Sequence, residues 1–120
     1  MSTVRTDYGV TYDVKVGSTK TLEVIIVDPD TGEAKSLADT AVYATGIAKI
    51  IKADGTQVGA NMTISFGDAS QRLTGLVTFT VLASSQTLAA NAGNWKGEIE
   101  ISNTTPLVVD QQDFNINIKE

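Results

Sequence analysis

Residues 95–102 read Trp-Lys-Gly-Glu-Ile-Glu-Ile-Ser, and this stretch alternates between two kinds of side chain. The odd-numbered positions are apolar or small, whereas the even-numbered positions are charged or polar. Because successive side chains of a β-strand point to opposite faces of a sheet, this alternation predicts a strand with one face in the core and the other in water. The same period of two recurs near both ends of the chain, which indicates an all-β protein.

Length and composition bound the architecture. The chain has 120 residues, a length that suits one domain with one hydrophobic core. Hydrophobic residues make up 42% of the chain and charged residues 19%, a balance typical of a folded globular protein rather than a disordered one. We therefore expect a single β-sandwich domain over residues 8–120, with residues 1–7 as a flexible arm.

Several function classes are excluded by residue usage. The sequence contains neither histidine nor cysteine, so a disulfide framework, a thiolate metal site and a Ser-His-Asp triad are all impossible. Nine Lys and Arg residues are scattered singly among fourteen Asp and Glu residues, whereas nucleic-acid binding needs clustered positive charge. No apolar run reaches the roughly 18 residues of a membrane span, and the N-terminus lacks the apolar core of a signal peptide. We expect no enzyme activity, no cofactor, and no nucleic-acid or membrane partner.

Alternation and turn residues predict seven to eight strands, the pattern of an immunoglobulin-like antiparallel β-sandwich. The segment 67–75 is predicted to be a polar loop. Residues 84–91 are predicted to form one short helical link, capped by Ser84 or Ser85. The predicted strands cover residues 8–16, 20–28, 40–53, 56–58 with 62–66, 76–82, 95–102, 107–109 and 114–119.

One of these segments, residues 40–53, is ambiguous between helix and strand. The β-branched pair Ile50–Ile51 and the following Ala53-Asp54-Gly55 turn favour a strand that enters a hairpin, with Gly46 at a bulge. The residues that also satisfy the spacing of a helix are Tyr43, Gly46, Ile47, Ile50 and Ile51.

Carboxylates are the first candidates for chemistry. Asp28, Asp30 and Glu33 lie within six residues, and Asp39 could join them in space. Carboxylate oxygens are ligands of Ca²⁺, but Asp, Pro and Gly are also the residues that a hairpin turn uses, and the spacing lacks the full ligand set of a known calcium loop. We therefore interpret the segment as a turn, and these three residues remain the calcium candidates.

Two further groups invite a functional interpretation. Glu98 and Glu100 share one strand face, as a pair of glycosidase carboxylates would, but that face is the polar one, so hydrated surface charge is the simpler interpretation. Trp95 aligns with the isoleucines of its strand, which favours burial in the core over display to a sugar or a partner protein. Tyr12 shares the face of its apolar neighbours and is also expected inside.

Five stretches of the sequence occur in a characteristic order. They are Thr-Leu-Glu-Val-Ile-Ile-Val-Asp at 21–28, Ser-Leu-Ala-Asp-Thr-Ala-Val-Tyr-Ala at 36–44, Lys-Ala-Asp-Gly-Thr at 52–56, Gly-Leu-Val-Thr-Phe-Thr-Val at 75–81 and Gly-Asn-Trp-Lys-Gly-Glu-Ile-Glu-Ile at 93–101. This order resembles the immunoglobulin-like structural module of tailed bacteriophages and is similar to the N-terminal domain of phage baseplate upper proteins. The resemblance covers residues 20–118.

The resemblance implies a building block of a virion, present in several copies, assembled in the host cytoplasm and docked on tail, baseplate, neck or capsid proteins. Small sandwiches can bind a neighbour by strand addition at a sheet edge or through their loops. On this hypothesis the strands at residues 10–16 and 114–119 face a partner. The alternative is a bacterial cell-surface or carbohydrate-binding β-sandwich module, which predicts a displayed aromatic platform and a calcium site.

Overall fold

The computed structural model describes residues 11–120, and the predicted arm at residues 1–7 and the beginning of the first predicted strand lie outside them. Strands dominate this part of the chain, which confirms the prediction of an all-β protein. The strands are β1 (Thr11–Lys15), β2 (Lys20–Ile25), β3 (Thr45–Ile51), β4 (Met62–Thr63), β5 (Leu76–Val81), β6 (Gly93–Ser102) and β7 (Val108–Lys119), with a short helix α1 (Ala69–Leu73) and a 3-10 turn (Ala89–Asn91).

The strands form two sheets. Five strands make a mixed sheet in the order β1-β7-β6-β3-β4, and β2 pairs with β5 in a smaller second sheet. All pairs of named strands are antiparallel except β1 with β7, which runs parallel from Thr11 opposite Asn115 to Lys15 opposite Lys119. The prediction of a wholly antiparallel fold is therefore wrong at this edge. Almost the whole chain separates β1 from β7, so no tight hairpin forces the two strands to run in opposite directions.

The core is formed by alternate side chains from both sheets. Phe79 of β5 and Phe114 of β7 meet inside it, with ring centroids 5.2 Å apart. The face of β6 that carries the odd-numbered residues enters the core as predicted, since Ile99 and Ile101 are buried. Each strand contributes to the buried cluster, which includes Val14, Leu22, Val24, Ala48, Ile50, Met62, Val77, Phe79, Val81, Ile99, Ile101, Phe114, Ile116 and Ile118.

The ambiguous segment at residues 40–53 is a strand only from Thr45 onward. The preference for a strand over a helix is thus confirmed, but the predicted start is five residues too early. Residues 40–44 form a turn, in which the backbone N–H of Tyr43 donates to the carbonyl of Asp39 at 2.9 Å. A local turn therefore takes the place of the first third of the predicted strand.

Two inward-facing glycines are explained by close packing. Gly46 lies in the unbroken register between β3 and β6, so the predicted bulge at this position is wrong. A β-carbon there would lie 3.0 Å from that of Ile64. At Gly97 the ring of Phe114 lies so close that no β-carbon fits. Both residues are small because large side chains of the core occupy the space beside them.

The last two predicted strands, at residues 107–109 and 114–119, are in fact one continuous strand, β7. The polar residues between them still alternate between more buried and more exposed positions. The strand therefore continues through a segment whose composition alone suggests a loop. A bulge interrupts the pairing with β6 between Ile101 and Ser102, which lie opposite Asp110 and Val108.

The segment after the third strand links the two sheets. Met62–Thr63 pairs with β3, whereas Ser65 forms a bridge with Thr78 of β5. The predicted strand at residues 62–66 therefore begins on the large sheet and reaches the small one.

The predicted polar loop at residues 67–75 contains the helix α1, which the sequence analysis missed. The carboxylate of Asp68 accepts from the backbone N–H of Gln71 at 2.9 Å, and the Gln71 side chain accepts from the backbone N–H of Asp68 at 2.9 Å. This reciprocal capping box starts the helix, and it is a local sequence signal that could have been recognised.

The predicted helical link at residues 84–91 is reduced to the 3-10 turn at Ala89–Asn91. It begins after Leu88 without a side-chain cap, so the prediction of a serine cap is wrong. The hydroxyl of Ser85 instead accepts from the backbone N–H of Ala60 at 3.0 Å. Within residues 11–120 we find no helix with the length and apolar character that crossing a membrane requires.

Candidate functional site

The predicted calcium candidates lie in the turn that follows β2. Asp28 Oδ1 accepts from the backbone N–H of Asp30 at 2.8 Å, and the N–H of Gly32 donates to the Asp28 carbonyl at 2.7 Å. Asp39 lies in a separate turn, where its carboxylate accepts from the N–H of Ala41 at 3.0 Å. In the described part of the chain, no three acidic side chains gather closely enough to hold a metal ion. The turn interpretation accounts for the hydrogen bonds that these residues make.

The second pair of carboxylates, Glu98 and Glu100, lies on the outer face of β6. Lys49 Nζ is 3.6 Å from one oxygen of Glu100, and the side-chain amide of Gln111 donates to the other at 3.1 Å. Glu100 thus has two cross-strand partners, while Glu98 lies opposite Lys49 on one side and Asp113 on the other. This arrangement is a hydrated, charge-paired sheet face rather than a cleft with two converging acids.

Trp95 is half-buried at the border of the core. Its indole N–H donates to the carbonyl of Asn91 at 2.8 Å, and Lys52 Nζ lies 5.4 Å from the centre of the ring. The ring also covers the backbone of Gly93. With one face and its polar atom already engaged, the indole does not form a flat displayed platform for a sugar.

Two side chains of the large sheet bind the side of β2 that faces away from β5, a feature that the sequence analysis missed. Gln112 is 6% exposed, and its amide oxygen accepts from the N–H of Val27 at 2.9 Å while its amide nitrogen donates to the carbonyl of Ile25 at 2.8 Å. The hydroxyl of Tyr12 donates to the carbonyl of Glu23 at 2.8 Å. These groups satisfy backbone atoms that a neighbouring strand would otherwise pair.

A partly buried ion pair lies next to this junction. Lys35 Nζ is 2.7 Å from Asp110 Oδ2, and the Asp110 side chain is only 10% exposed. The hydrogen bond with Asp110 raises the pKa of Lys35, burial opposes that rise, and the charges of Asp110, Tyr43 and Asp28 support it. The ammonium group therefore stays charged and compensates a carboxylate that the fold has removed from water.

Within residues 11–120, β1 pairs in parallel with the C-terminal half of β7, from Thr11 opposite Asn115 to Lys15 opposite Lys119. The N–H of Val16 also donates to the carbonyl of Lys119 at 2.6 Å, which shows that this carbonyl faces β1. Because this direction repeats every second residue, the backbone polar groups of Asp113 and Gln111 face the same side of β7.

A cleft of about 510 Å³ lies beside β7. Val27 and Pro29 form its apolar wall, across from the β7 segment. Its remaining lining comes from Lys96, Gln111, Gln112, Asp113, Phe114 and Asn115.

Three consecutive large apolar residues are exposed at the beginning of β7. Leu107 is 65% exposed, Val108 53% and Val109 38%. Val109 is the extra residue of the bulge, because its neighbours on either side lie opposite Ser102 and Ile101. The bulge breaks the alternation that would turn one of the two valines into the core, so both reach solvent.

A scan against models of known protein families finds no match for this chain, and a search of curated proteins also finds none. The function of the chain therefore has to be inferred from the residues of the structure itself. The described surface offers three consecutive exposed apolar residues at the beginning of β7 and four ion pairs.

Proposed function

We propose that this chain is a non-enzymatic structural component of a tailed-bacteriophage virion, present in several copies and docked on tail, baseplate, neck or capsid proteins. The observation that carries the proposal is the order of five sequence stretches between residues 21 and 101, which resembles the immunoglobulin-like module of such particles. Three of these stretches contain most of β2, all of β5 and most of β6. A fourth contains the hairpin turn at Asp54-Gly55, where the Gly55 N–H donates to the Lys52 carbonyl at 2.9 Å.

The proposal includes a finer assignment of the fold as an immunoglobulin-like β-sandwich. Strands β3, β6 and β7 lie side by side, as strands C, F and G do in such a domain, and β2 pairs with β5 as strand B pairs with strand E. The contact between Phe79 and Phe114 across the core agrees with two sheets packed face to face.

The surface chemistry also supports an assembly role. Two acids on the outer face of β6 and β7 are paired with lysines, Glu100 with Lys49 at 3.6 Å and Asp113 with Lys96 at 3.7 Å. Leu107, Val108 and Val109, by contrast, form a run of exposed apolar side chains at the beginning of β7. Contiguous exposed apolar side chains are typical of surfaces that bind other chains.

The test is the composition of purified particles. Mass spectrometry of gradient-purified virions from the culture that carries this coding sequence should find the chain at several copies per particle, and immunogold labelling should place it on tail, neck or head. Absence from such particles, together with co-purification with polysaccharide-processing proteins, would reject the proposal in favour of a carbohydrate-binding module.

A further inference from the structure

We propose that copies of this chain bind one another head to tail, so that an end of one copy that is acidic and apolar docks on an end of the next copy that is basic and apolar. The inference goes beyond the proposed function, because it concerns contacts between copies of the chain and does not depend on a place in a virion. Two observations on the described residues carry it, the placement of exposed apolar side chains and the placement of charge.

The strands run between two opposite ends of the molecule. Strands β2 and β6 finish at the end where β3, β5 and β7 begin. This first end, which we call the acidic end, consists of residues 28–44, 67–75 and 103–110. The opposite end, which we call the basic end, consists of residues 15–20, 52–61, 82–92 and 119–120.

Hydrogen bonds join the segments of the acidic end into one surface. The N–H of Thr104 donates to the carbonyl of Ala41 at 3.2 Å, and Arg72 Nη1 donates to the carbonyl of Tyr43 at 3.0 Å. The large apolar side chains that this surface exposes are Val42, Leu73, Leu107, Val108 and Val109.

The basic end is joined in the same way. The N–H of Gly17 donates to the carbonyl of Thr87 at 2.8 Å, and the Thr87 hydroxyl donates to the carbonyl of Ser18 at 2.7 Å. The turn between β1 and β2 therefore packs against the link between β5 and β6. That link exposes Leu82 and Leu88, which are 43% and 46% exposed.

These two groups account for all the strongly exposed large apolar side chains in residues 11–120. Each of them lies at one of the two ends, and the outer faces of both sheets carry none. Exposed apolar side chains that cluster in this way mark surfaces that bind other chains. Because the two groups lie at opposite ends of one copy, they can cover each other only between successive copies.

Charge is also divided between the ends. The acidic end carries six carboxylates and two cations. Both cations are already engaged, Lys35 with Asp110 and Arg72 with backbone carbonyls. The basic end carries four lysines and two carboxylates, and one of these lysines, Lys119, pairs with Asp13 of β1. An excess of negative charge at one end thus meets an excess of positive charge at the other.

This division of charge selects the arrangement of the copies. Contacts between two acidic ends or between two basic ends place like charges together, whereas an acidic end on a basic end places opposite charges together. The favoured contact is therefore heterologous, and it generates an open chain or a closed ring rather than a two-fold dimer.

The experiment is sedimentation velocity of the full chain over a range of protein concentrations at low ionic strength. The weight-average sedimentation coefficient should rise with concentration, and added salt should lower it because salt screens the opposite charges of the two ends. A sedimentation coefficient that stays that of the monomer at every concentration would overturn the proposal.

Two variants test the direction of the contact. Leu73→Lys places a cation in the acidic end, and Leu88→Glu places an anion in the basic end. Each variant alone should associate about tenfold more weakly than the unchanged chain, since an apolar contact is lost and a like charge is introduced. An equimolar mixture should regain association, because the unaltered acidic end of one variant can bind the unaltered basic end of the other. A mixture that associates no better than either variant alone would rule out the head-to-tail contact.

The matched controls change an exposed residue between the two ends. Thr63 lies in β4 and is exposed, so Thr63→Lys and Thr63→Glu add the same charges away from both surfaces. Both controls should associate as the unchanged chain does, and circular dichroism should show the same strand content in all four variants. Equal weakening by the controls and by the end variants would contradict the assignment of the contact to the ends.

Failure of this inference can be told apart from failure of the proposed function. If virions contain the chain but the purified chain stays monomeric, the head-to-tail contact falls and the virion role stands. If the chain associates head to tail but virions lack it, the contact stands and the virion role falls.

Discussion

A single amide side chain, that of Gln112, holds the two sheets together at the end of β2. Its two hydrogen bonds, to Val27 N–H and Ile25 C=O, span more than eighty positions of the chain. A buried amide can replace a missing strand in this way because it carries a donor and an acceptor with the spacing of a peptide group. The neighbouring Gln111 has the same chemistry but lies on the outer face, so the contribution of each depends on position alone.

We predict that Gln112→Ala lowers the free energy of unfolding by about 2–4 kcal/mol, because it leaves a buried N–H and a buried carbonyl without partners. The matched variant Gln111→Ala loses one exposed hydrogen bond to Glu100 and should change stability by less than about 0.5 kcal/mol. Urea unfolding of both variants measures the difference. Equal losses for the two variants would show that the buried amide does not join the sheets.

The ion pair of Lys35 with Asp110 predicts how the stability of the protein depends on pH. Its pKa is raised above 10.5 in the folded state, chiefly by the hydrogen bond with Asp110, so folding favours the charged ammonium group. The resulting stabilisation is fully present below pH 10.5 and is lost as the pH rises through the raised value. Lys35→Met should lower stability by about 1–3 kcal/mol at neutral pH, since it leaves the Asp110 carboxylate without its cation.

The measurement is urea unfolding of the unchanged chain and Lys35→Met from neutral pH to above pH 10.5. The difference between the two should shrink at the alkaline end. Lys119→Met is the control, because Lys119 is 56% exposed and forms its ion pair with Asp13, at 3.6 Å, on the solvent-exposed surface. A difference for Lys35→Met that stays constant with pH would contradict the assigned role.

The short helix α1 stabilises the connection between β2 and β3. One nitrogen of the Arg72 guanidinium donates to the carbonyls of Leu37 at 2.8 Å and Tyr43 at 3.0 Å. The guanidinium carbon also lies 4.4 Å from the centre of the Phe66 ring. One residue of a five-residue helix thus fixes a long connection that has no strand ladder of its own.

Arg72→Met should therefore destabilise the protein by about 2–3 kcal/mol, because two hydrogen bonds from a charged donor are lost. The adjacent Leu73→Ala, at a side chain that is 61% exposed, should change stability by no more than about 0.5 kcal/mol. Thermal unfolding and amide exchange of Leu37 and Tyr43 report the two effects. Unchanged exchange at these amides in Arg72→Met would show that Arg72 does not stabilise the connection.

For the whole molecule, the decisive feature is a core that both sheets share. Side chains of the seven described strands enter one buried cluster, and the small sheet has no separate core of its own. The contact between Phe79 and Phe114 lies where the two sheets meet. A core of this kind couples the sheets, since neither can open without exposing the other.

We accordingly predict one cooperative unfolding transition. Far-ultraviolet circular dichroism, which follows the strands, and fluorescence of Trp95, which follows the border of the core, should give the same midpoint in urea. Two separated midpoints would show that β2 and β5 unfold independently of the large sheet.

Local sequence patterns are enough to predict which faces of the strands are buried and where several tight turns fall. Alternation with polar residues is seen at Leu22 and Val24, and again at Ile99 and Ile101. A period of two can be recognised in any short stretch of sequence, because it depends only on neighbouring residues. The turn at Asp54-Gly55 is equally local, since Gly55 has a φ of 91° that favours glycine. These features were predicted because their cause lies within a few residues.

The way in which distant segments of the chain meet is visible in the three-dimensional fold alone. The parallel pairing of β1 with β7, the continuity of β7 through Asp110–Asp113, and the amide of Gln112 against β2 all join parts of the chain that are far apart in sequence. The register that places Thr11 opposite Asn115 and Lys15 opposite Lys119 joins the two ends of the described chain. No local pattern encodes that register, because it is set by which long-range contacts pack best around the common core.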